Sequence, residues 1–96
     1  MYILVSYDIN TNSSNGKRRL RMVAKVCLNY GQRVQNSVFE CNVDEGQYLM
    51  LKHELYAVID EAVDNLRFYR LGKNYKKTVE TAGINKSYDI EGPLIL

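Results

Sequence analysis

Several features that define whole classes of protein are missing from this sequence. The chain has only two cysteines, which excludes a disulfide-rich scaffold. No apolar run approaches the roughly 20 residues that a membrane-spanning helix needs. The first residues carry no basic region and no small-residue cleavage site, so we expect a cytoplasmic protein without a membrane partner. P-loop, G-x-G-x-x-G and zinc-ligand spacings are also missing, which excludes the sites that those motifs form.

Acidic residues are missing from two long stretches of the chain. No Asp or Glu lies within residues 9–39 or within residues 65–79. These two stretches hold eleven of the thirteen basic residues: Lys17, Arg18, Arg19, Arg21, Lys25, Arg33, Arg67, Arg70, Lys73, Lys76 and Lys77. Such segregation predicts one strongly positive face, which suits a polyanion such as nucleic acid. The alternative is a set of ordinary solvated cations on helix and loop surfaces.

Hydrophobic periodicity predicts a small α+β domain. The first helix is predicted to bury one stripe of apolar residues: Leu20, Val23, Ala24, Cys27 and Leu28. Asp44 and Gln47 have the spacing of a capping box at the start of the second helix. In chain order, the predicted elements are a strand over 2–8, a helix between Gly16 and Gly31, two strands over 33–43 with a bend near Asn36 and Ser37, a helix from Asp44 to Val63, a strand over 66–71 and a further strand over 77–81. Two helices on one face of an antiparallel sheet form the ferredoxin-like βαββαβ arrangement, here with an extra C-terminal strand. We place the single domain at residues 1–82 and a C-terminal tail at residues 83–96.

The pattern of apolar residues also predicts a second copy of the chain as partner. Two helices cover only one face of the sheet, yet the strands carry apolar residues on both faces. A chain of 96 residues has a marginal core, and this one ends in Pro93-Leu94-Ile95-Leu96. We therefore expect a homodimer across the open sheet face, in which the tails are exchanged. The alternative is a tail that folds back on its own subunit.

Asp8 is the main candidate for chemistry. It ends the predicted first strand just before a turn-rich loop, which is a common place for a functional carboxylate. Mg²⁺ commonly binds through one or two carboxylates together with water and substrate phosphate, and a two-fold dimer would supply a second Asp8. The alternative is that Asp8 caps the polar loop that follows it.

Cations crowd the start of the first helix. Lys17, Arg18, Arg19 and Arg21 lie where the helix dipole is already positive, and no acid in the local sequence offsets them. A bound phosphate would remove this repulsion, because helix N-termini bind anions readily. The pattern therefore predicts contact with a nucleic-acid backbone.

Other polar groups predict no site. Glu54, Asp60, Glu61 and Asp64 are interpreted as a solvated face of the second helix rather than as an acid–base pair. Tyr69 and Tyr75 lie near the second group of cations. We interpret their rings as core or interface packing in preference to base stacking.

Three motifs follow one another in a distinctive order. They are Tyr7-Asp8-Ile9, Gly31-x-Arg33-Val34-Gln35-x-Ser37-Val38-Phe39-Glu40-Cys41 and Leu66-Arg67-Phe68-Tyr69-Arg70-Leu71-Gly72. With the basic helix between the first two, they resemble the CRISPR-associated protein two family (Cas-two). The likeness covers nearly the whole chain, and the Gln-x-Ser-Val-Phe-Glu segment is its most specific part.

This resemblance implies a ferredoxin-like fold and a symmetric homodimer, in which each C-terminal strand joins the partner's sheet. It implies an Mg²⁺-dependent endonuclease on RNA or double-stranded DNA, with Asp8 of each protomer as metal ligand and Tyr7 as a second catalytic residue. Arg33, Phe39 and the cations of the first helix are implied to belong to the site. The implied partner is the CRISPR-associated protein one integrase (Cas-one), with which the dimer acts in spacer acquisition.

Two functions therefore remain open, and the endonuclease is the leading hypothesis. The second is a non-catalytic DNA-binding scaffold that bridges two integrase dimers, for which the basic stretches suffice and Asp8 is a cap. An RNA-recognition-like or ligand-binding module ranks last, because the aromatic-rich strands of the RNA-recognition fold are missing.

Overall fold

The computed structural model describes residues 1–83, apart from the side chains of Lys76 and Thr78. In chain order its elements are β1 (Tyr2–Asp8), α1 (Gly16–Leu28), β2 (Gly31–Gln35), β3 (Val38–Asn42), α2 (Glu45–Val58), β4 (Asn65–Leu71) and the short α3 (Tyr75–Thr78). The strands form one antiparallel sheet in the order β2-β3-β1-β4. The predicted α+β class is confirmed. No helix within the described residues is long and apolar enough to cross a membrane.

The side chains of β1 alternate between the two faces of the sheet. Ile3, Val5 and Tyr7 are buried, whereas the alternate residues Leu4 and Ser6 are partly exposed, because successive side chains of a strand point to opposite sides. Both long helices contribute to the core on the buried side, which we call the helix-facing side; the other is the open face. The largest fully buried side chains include Phe39, Ile3, Leu51, Leu55, Val5 and Val23.

α1 and the strand pair that follows it agree closely with the periodicity. Val23 and Cys27 are buried along one stripe of α1, as predicted. Leu28, predicted to share that stripe, is 60% exposed, because it is the last residue of the helix. The bend expected near Asn36 and Ser37 is confirmed as the turn between β2 and β3.

α2 begins as predicted and ends early. The side chain of Asp44 accepts a hydrogen bond from the Gln47 amide (2.7 Å), and the Gln47 side chain accepts one from the Asp44 amide (2.9 Å). This reciprocal pair forms a capping box. The predicted continuation to Val63 is wrong, because the carboxylates of Asp60 and Asp64 accept backbone amides and hold residues 60–64 in a turn.

The strand predicted over residues 77–81 is also wrong. Residues 75–78 form the short helix α3, and residues 79–81 form no strand. The amides of Tyr75 and Lys77 donate to the carbonyls three residues earlier, and the Tyr75 ring packs edge-on against Tyr2 at 4.7 Å between ring centroids. Local turn bonds and this ring contact therefore replace strand pairing. The predicted tail lies outside the described residues from residue 84 onward.

Candidate active site

Asp8 ends β1 on the open face of the sheet. Its side chain is exposed, and its backbone pairs in register with Asn65 of β4. Among the side chains that the structure describes, none donates a hydrogen bond to the Asp8 carboxylate or forms an ion pair with it. The loop that follows is instead capped by Asn10, whose side chain accepts the Asn12 amide at 3.0 Å. The carboxylate of Asp8 is therefore available to a ligand.

A cleft of about 520 Å³ opens beside this carboxylate. Its walls include the amide side chains of Asn10, Asn12 and Asn65. Carboxylate and amide oxygens are hard ligands of the kind that Mg²⁺ prefers, so the donor types fit that ion. Within residues 1–83, however, no three His, Cys, Asp or Glu side chains are grouped so that they could hold a metal. A metal at Asp8 would need water, substrate phosphate or a second Asp8 to complete its shell.

Arg67, one of the predicted cations, shares the open face with Asp8. It pairs with Ser6 in the same β1–β4 ladder in which Asn65 pairs with Asp8, so Arg67 and Asp8 are diagonal neighbours across two strands. Diagonal neighbours lie about 7–8 Å apart, within reach of a long side chain. Its Nη1 donates to the hydroxyl of Tyr69 at 3.0 Å. The structure thus places Arg67 on the same face as Asp8, with its guanidinium bonded to Tyr69.

Tyr7 lies on the helix-facing side, away from Asp8. It is 4% exposed, its ring stacks on Phe39 with centroids 6.2 Å apart, and its hydroxyl donates to the carbonyl of Asn36 at 3.4 Å. Burial raises the pKa of Tyr7, against the opposing effect of the Arg33 guanidinium. Arg33 itself lies over the Phe39 ring at 5.2 Å. The structure groups Tyr7, Arg33 and Phe39 together, and this placement does not support a catalytic role for the Tyr7 hydroxyl.

Arg19 is engaged by an acid that is distant in the sequence. Its Nε donates to Oδ2 of Asp64 at 2.8 Å, and its Nη2 lies 3.3 Å from Oδ1. The Asp64 side chain is fully buried, so the interpretation of Asp64 as part of a solvated helix face is wrong. The hydrogen bond from Arg19 lowers the pKa of Asp64 to about 2. Sequence reasoning missed this pair because its members lie in different stretches of the chain.

The remaining predicted cations do not share one face. Four are exposed on α1: Lys17, Arg18, Arg21 and Lys25. Arg70 donates to the carboxylate of Glu45 and lies 5.6 Å from the centre of the Tyr48 ring, on the helix-facing side. Lys73 and Lys77 are exposed beyond β4, and the side chain of Lys76 is outside the description. The positive charge is therefore spread over both layers, with its densest group on α1.

Comparison with known proteins decides the family. Residues 1–79 match the family model of CRISPR associated protein Cas2. This chain belongs to the Cas2 family. The CRISPR-associated endonuclease Cas2 of Halalkalibacterium halodurans is 59% identical over 95 residues, which cover 99% of each chain. The CRISPR-associated endoribonuclease Cas2 1 of Moorella thermoacetica is 52% identical over 96 residues, which cover 100% of each chain.

The fold agrees with solved Cas2 structures. The crystal structure of Streptococcus pyogenes Cas2 at pH 6.5 superimposes with a TM-score of 0.79 and 55% sequence identity, covering 86% of this chain and 100% of that chain. The resemblance inferred from the motifs is thereby confirmed at the level of the family.

Proposed function

We propose that this Cas2 protein is a CRISPR-associated endonuclease that hydrolyses phosphodiester bonds of RNA or double-stranded DNA with Mg²⁺ at Asp8. The observation that carries the proposal is the exposed carboxylate of Asp8, which no described side chain occupies, at the end of a central strand. Relatives that are 59% and 52% identical carry the names endonuclease and endoribonuclease, which supports the same activity here. A carboxylate that served only as a loop cap would be bonded to the loop.

The proposal includes a ferredoxin-like subunit that forms a homodimer. The order β1–α1–β2–β3–α2–β4 and the sheet order β2-β3-β1-β4 support the ferredoxin-like arrangement. On the open face Leu4 is partly exposed and Tyr69 is 41% exposed, which supports a second copy as cover. A two-fold axis at this face would bring two Asp8 carboxylates onto one surface.

The proposal assigns separate roles to Asp8, to Arg67 and to the exposed cations of α1. Asp8 and its symmetry mate would hold the ion through their carboxylates. When bound, Mg²⁺ activates a water and neutralises charge on the reacting phosphate. Arg67 binds a substrate phosphate, for which the planar guanidinium is well shaped. The exposed cations of α1 hold the nucleic-acid backbone outside the site by charge attraction.

The partner in this proposal is the integrase that the family resemblance implies, the CRISPR-associated protein one. The endonuclease would act with it in integrating spacer DNA, and the Cas2 dimer would bridge two integrase dimers. Membership of the Cas2 family supports this partnership.

The test is a metal-titrated cleavage assay with wild type, Asp8→Asn and the matched control Glu61→Gln. Glu61 is an exposed carboxylate in the turn after α2, so the control removes the same charge elsewhere. We expect Asp8→Asn to lower the cleavage rate about 100-fold or more, the scale of losing one catalytic group, and Glu61→Gln to leave it unchanged. Duplex binding should survive in Asp8→Asn. Wild-type cleavage by that variant, with contaminating nuclease excluded, would favour the scaffold function.

A further inference from the structure

Asp64 joins the two chain segments that flank the candidate site, the loop after β1 and the start of β4. It immediately precedes β4, whose first residue, Asn65, pairs with Asp8. Its Oδ1 accepts the backbone amide of Asn10 at 3.0 Å, two residues after Asp8. This bond continues the attachment of β1 to β4 beyond the last register pair of the two strands.

Arg19 joins the same carboxylate to the loop that follows Asp8. While Nε and Nη2 of Arg19 engage Asp64, its Nη1 donates to the Ser14 carbonyl at 2.6 Å and its Nη2 to Ser13 Oγ at 2.6 Å. The two side chains of the ion pair are 12% and 0% exposed, for Arg19 and Asp64 respectively. One guanidinium therefore connects α1, the residue before β4 and the middle of the loop.

The loop that follows Asp8 is bonded within itself and packed against the start of α1. The Ser13 hydroxyl donates to the Asn10 carbonyl at 2.7 Å. A Cβ added at Gly16 would collide with the Asn10 carbonyl oxygen and lie 2.7 Å from Thr11 Cα. The loop is thus packed closely against the start of α1, and the ion pair joins this end of α1 to the residue before β4.

We propose that Arg19 and Asp64 are positioning residues, which fix the orientation of the Asp8 carboxylate and take no part in phosphate binding. This inference rests on the proposed endonuclease function. Asp64 lines the same cleft as Asp8, but Arg19 and the amides of Asn10 and Asp60 occupy both its oxygens. Asp64 therefore acts on Asp8 through the Asn10 backbone, and Arg19 acts by holding Asp64.

The first test separates the turnover number from the Michaelis constant in Mg²⁺-dependent cleavage. Asp64→Asn should lower kcat about 10–100-fold, the range seen when a supporting partner of a functional group is lost. KM should stay within about twofold, because no group that touches substrate is removed. Arg19→Lys, which keeps a charge beside Asp64 but loses the fork to Ser13 and Ser14, should fall between that variant and wild type. A changed KM with unchanged kcat would overturn the proposal in favour of phosphate binding.

The matched control is Glu45→Gln. It removes the exposed ion pair between Glu45 and Arg70, which also joins segments distant in sequence but lies away from the Asp8 loop. All variants are compared at a temperature at which circular dichroism shows them folded. An equal loss of kcat in Glu45→Gln would mean that any lost ion pair impairs the enzyme, and would overturn the positioning role.

A second measurement does not depend on cleavage. Amide hydrogen exchange, followed by NMR without metal, should become faster at Asn10 and Asn12 in Asp64→Asn and stay unchanged at Val5 in the core of β1. If wild type cleaves nothing, the endonuclease proposal fails, and the exchange data alone decide whether the pair holds the loop. Unchanged exchange at Asn10 would overturn the inference. If Asp64→Asn does not fold, Arg19→Lys carries both measurements.

Discussion

Tyr7 and Asp8 are consecutive residues whose side chains leave β1 on opposite faces of the sheet. Tyr7 is 4% exposed among core residues, and Asp8 is exposed beside a cleft. Successive side chains of a strand point to opposite faces of the sheet, so these two neighbours in the sequence are separated in space. Of the two residues, only Asp8 can meet a substrate without rearrangement of the core.

We expect Tyr7→Phe to keep its cleavage activity. The substitution preserves the ring that stacks on Phe39 and removes a hydroxyl that makes a long hydrogen bond of 3.4 Å to the Asn36 carbonyl and also interacts with Arg33. The free energy of unfolding should fall by at most about 1.5 kcal/mol, the upper end for one neutral hydrogen bond. Cleavage and urea unfolding are measured together, with Asp8→Asn as the inactive reference. A cleavage rate as low as that of Asp8→Asn would restore a catalytic role to the Tyr7 hydroxyl.

The pair between Arg19 and Asp64 should make stability depend on pH in acid. The pKa of Asp64 is lowered from 3.8 to about 2 in the folded chain, so folding favours the ionised form. Its contribution to stability is therefore complete above about pH 4 and is lost as the pH falls through about 2. In urea unfolding at several pH values, Asp64→Asn should be less stable than wild type at pH 7, and the difference should shrink toward pH 2.

The control for this prediction is Glu61→Gln, which removes a carboxylate from the same turn and leaves the ion pair in place. We expect its stability to follow the wild-type pH profile. If the difference between wild type and Asp64→Asn were constant from pH 7 to pH 2, the ion pair would not be the source of the stabilisation.

Sequence patterns correctly predicted the features that depend on residues close together in the chain. The apolar stripe of α1, the capping box of Asp44 with Gln47 and the turn at Asn36 and Ser37 all depend on residues within a few positions of one another. Spacing along the sequence is sufficient to reveal such features.

Long-range contacts explain what the sequence did not reveal. α2 stops at Val58 because Asp64, which is held by Arg19 from 45 positions away, accepts the Asp60 amide. Residues 75–78 are helical although strand-like alternation extends over 77–81, and the Tyr75 ring packs on Tyr2 at the other end of the chain. The same holds for the site. The position of Asp8 at the end of a strand marked it as a candidate in the sequence. The hydrogen bonds between Arg19 and Asp64 are visible only in the folded structure.

The exposed cations of α1 should set the salt dependence of nucleic-acid binding. Arg18, Arg21 and Lys25 are all exposed, whereas Arg19 is engaged by Asp64 and is left intact. Replacing these three by Gln should reduce the slope of log K against log salt by about 0.9 for each duplex phosphate that the variant no longer neutralises. Lys52→Gln is the control, because Lys52 lies on α2 over the Tyr48 ring and outside the basic stretches. An unchanged slope in the triple variant would mean that α1 does not face the backbone.

The open face of the sheet should be the dimer interface. Leu4 lies at its centre, between Glu40 of β3 and Tyr69 of β4 in the register of the sheet. Leu4→Lys should leave the isolated subunit folded, because Leu4 is only partly buried and a long lysine side chain can carry its ammonium group out to water. In a dimer packed on this face, however, it would bury a charge in an apolar interface, which is strongly unfavourable. We therefore expect light scattering to show a dimer for wild type and a monomer for Leu4→Lys.

Leu49→Lys is the matched control for this last prediction. Leu49 is 61% exposed on α2, on the opposite layer of the molecule, so the same substitution there should leave the dimer intact. Leu4→Lys should also lose Mg²⁺-dependent cleavage, because separated subunits would no longer bring together the two Asp8 carboxylates of the proposed site. A dimeric and active Leu4→Lys variant would place the subunit interface elsewhere. A monomeric but fully active one would show that a single Asp8 suffices for hydrolysis.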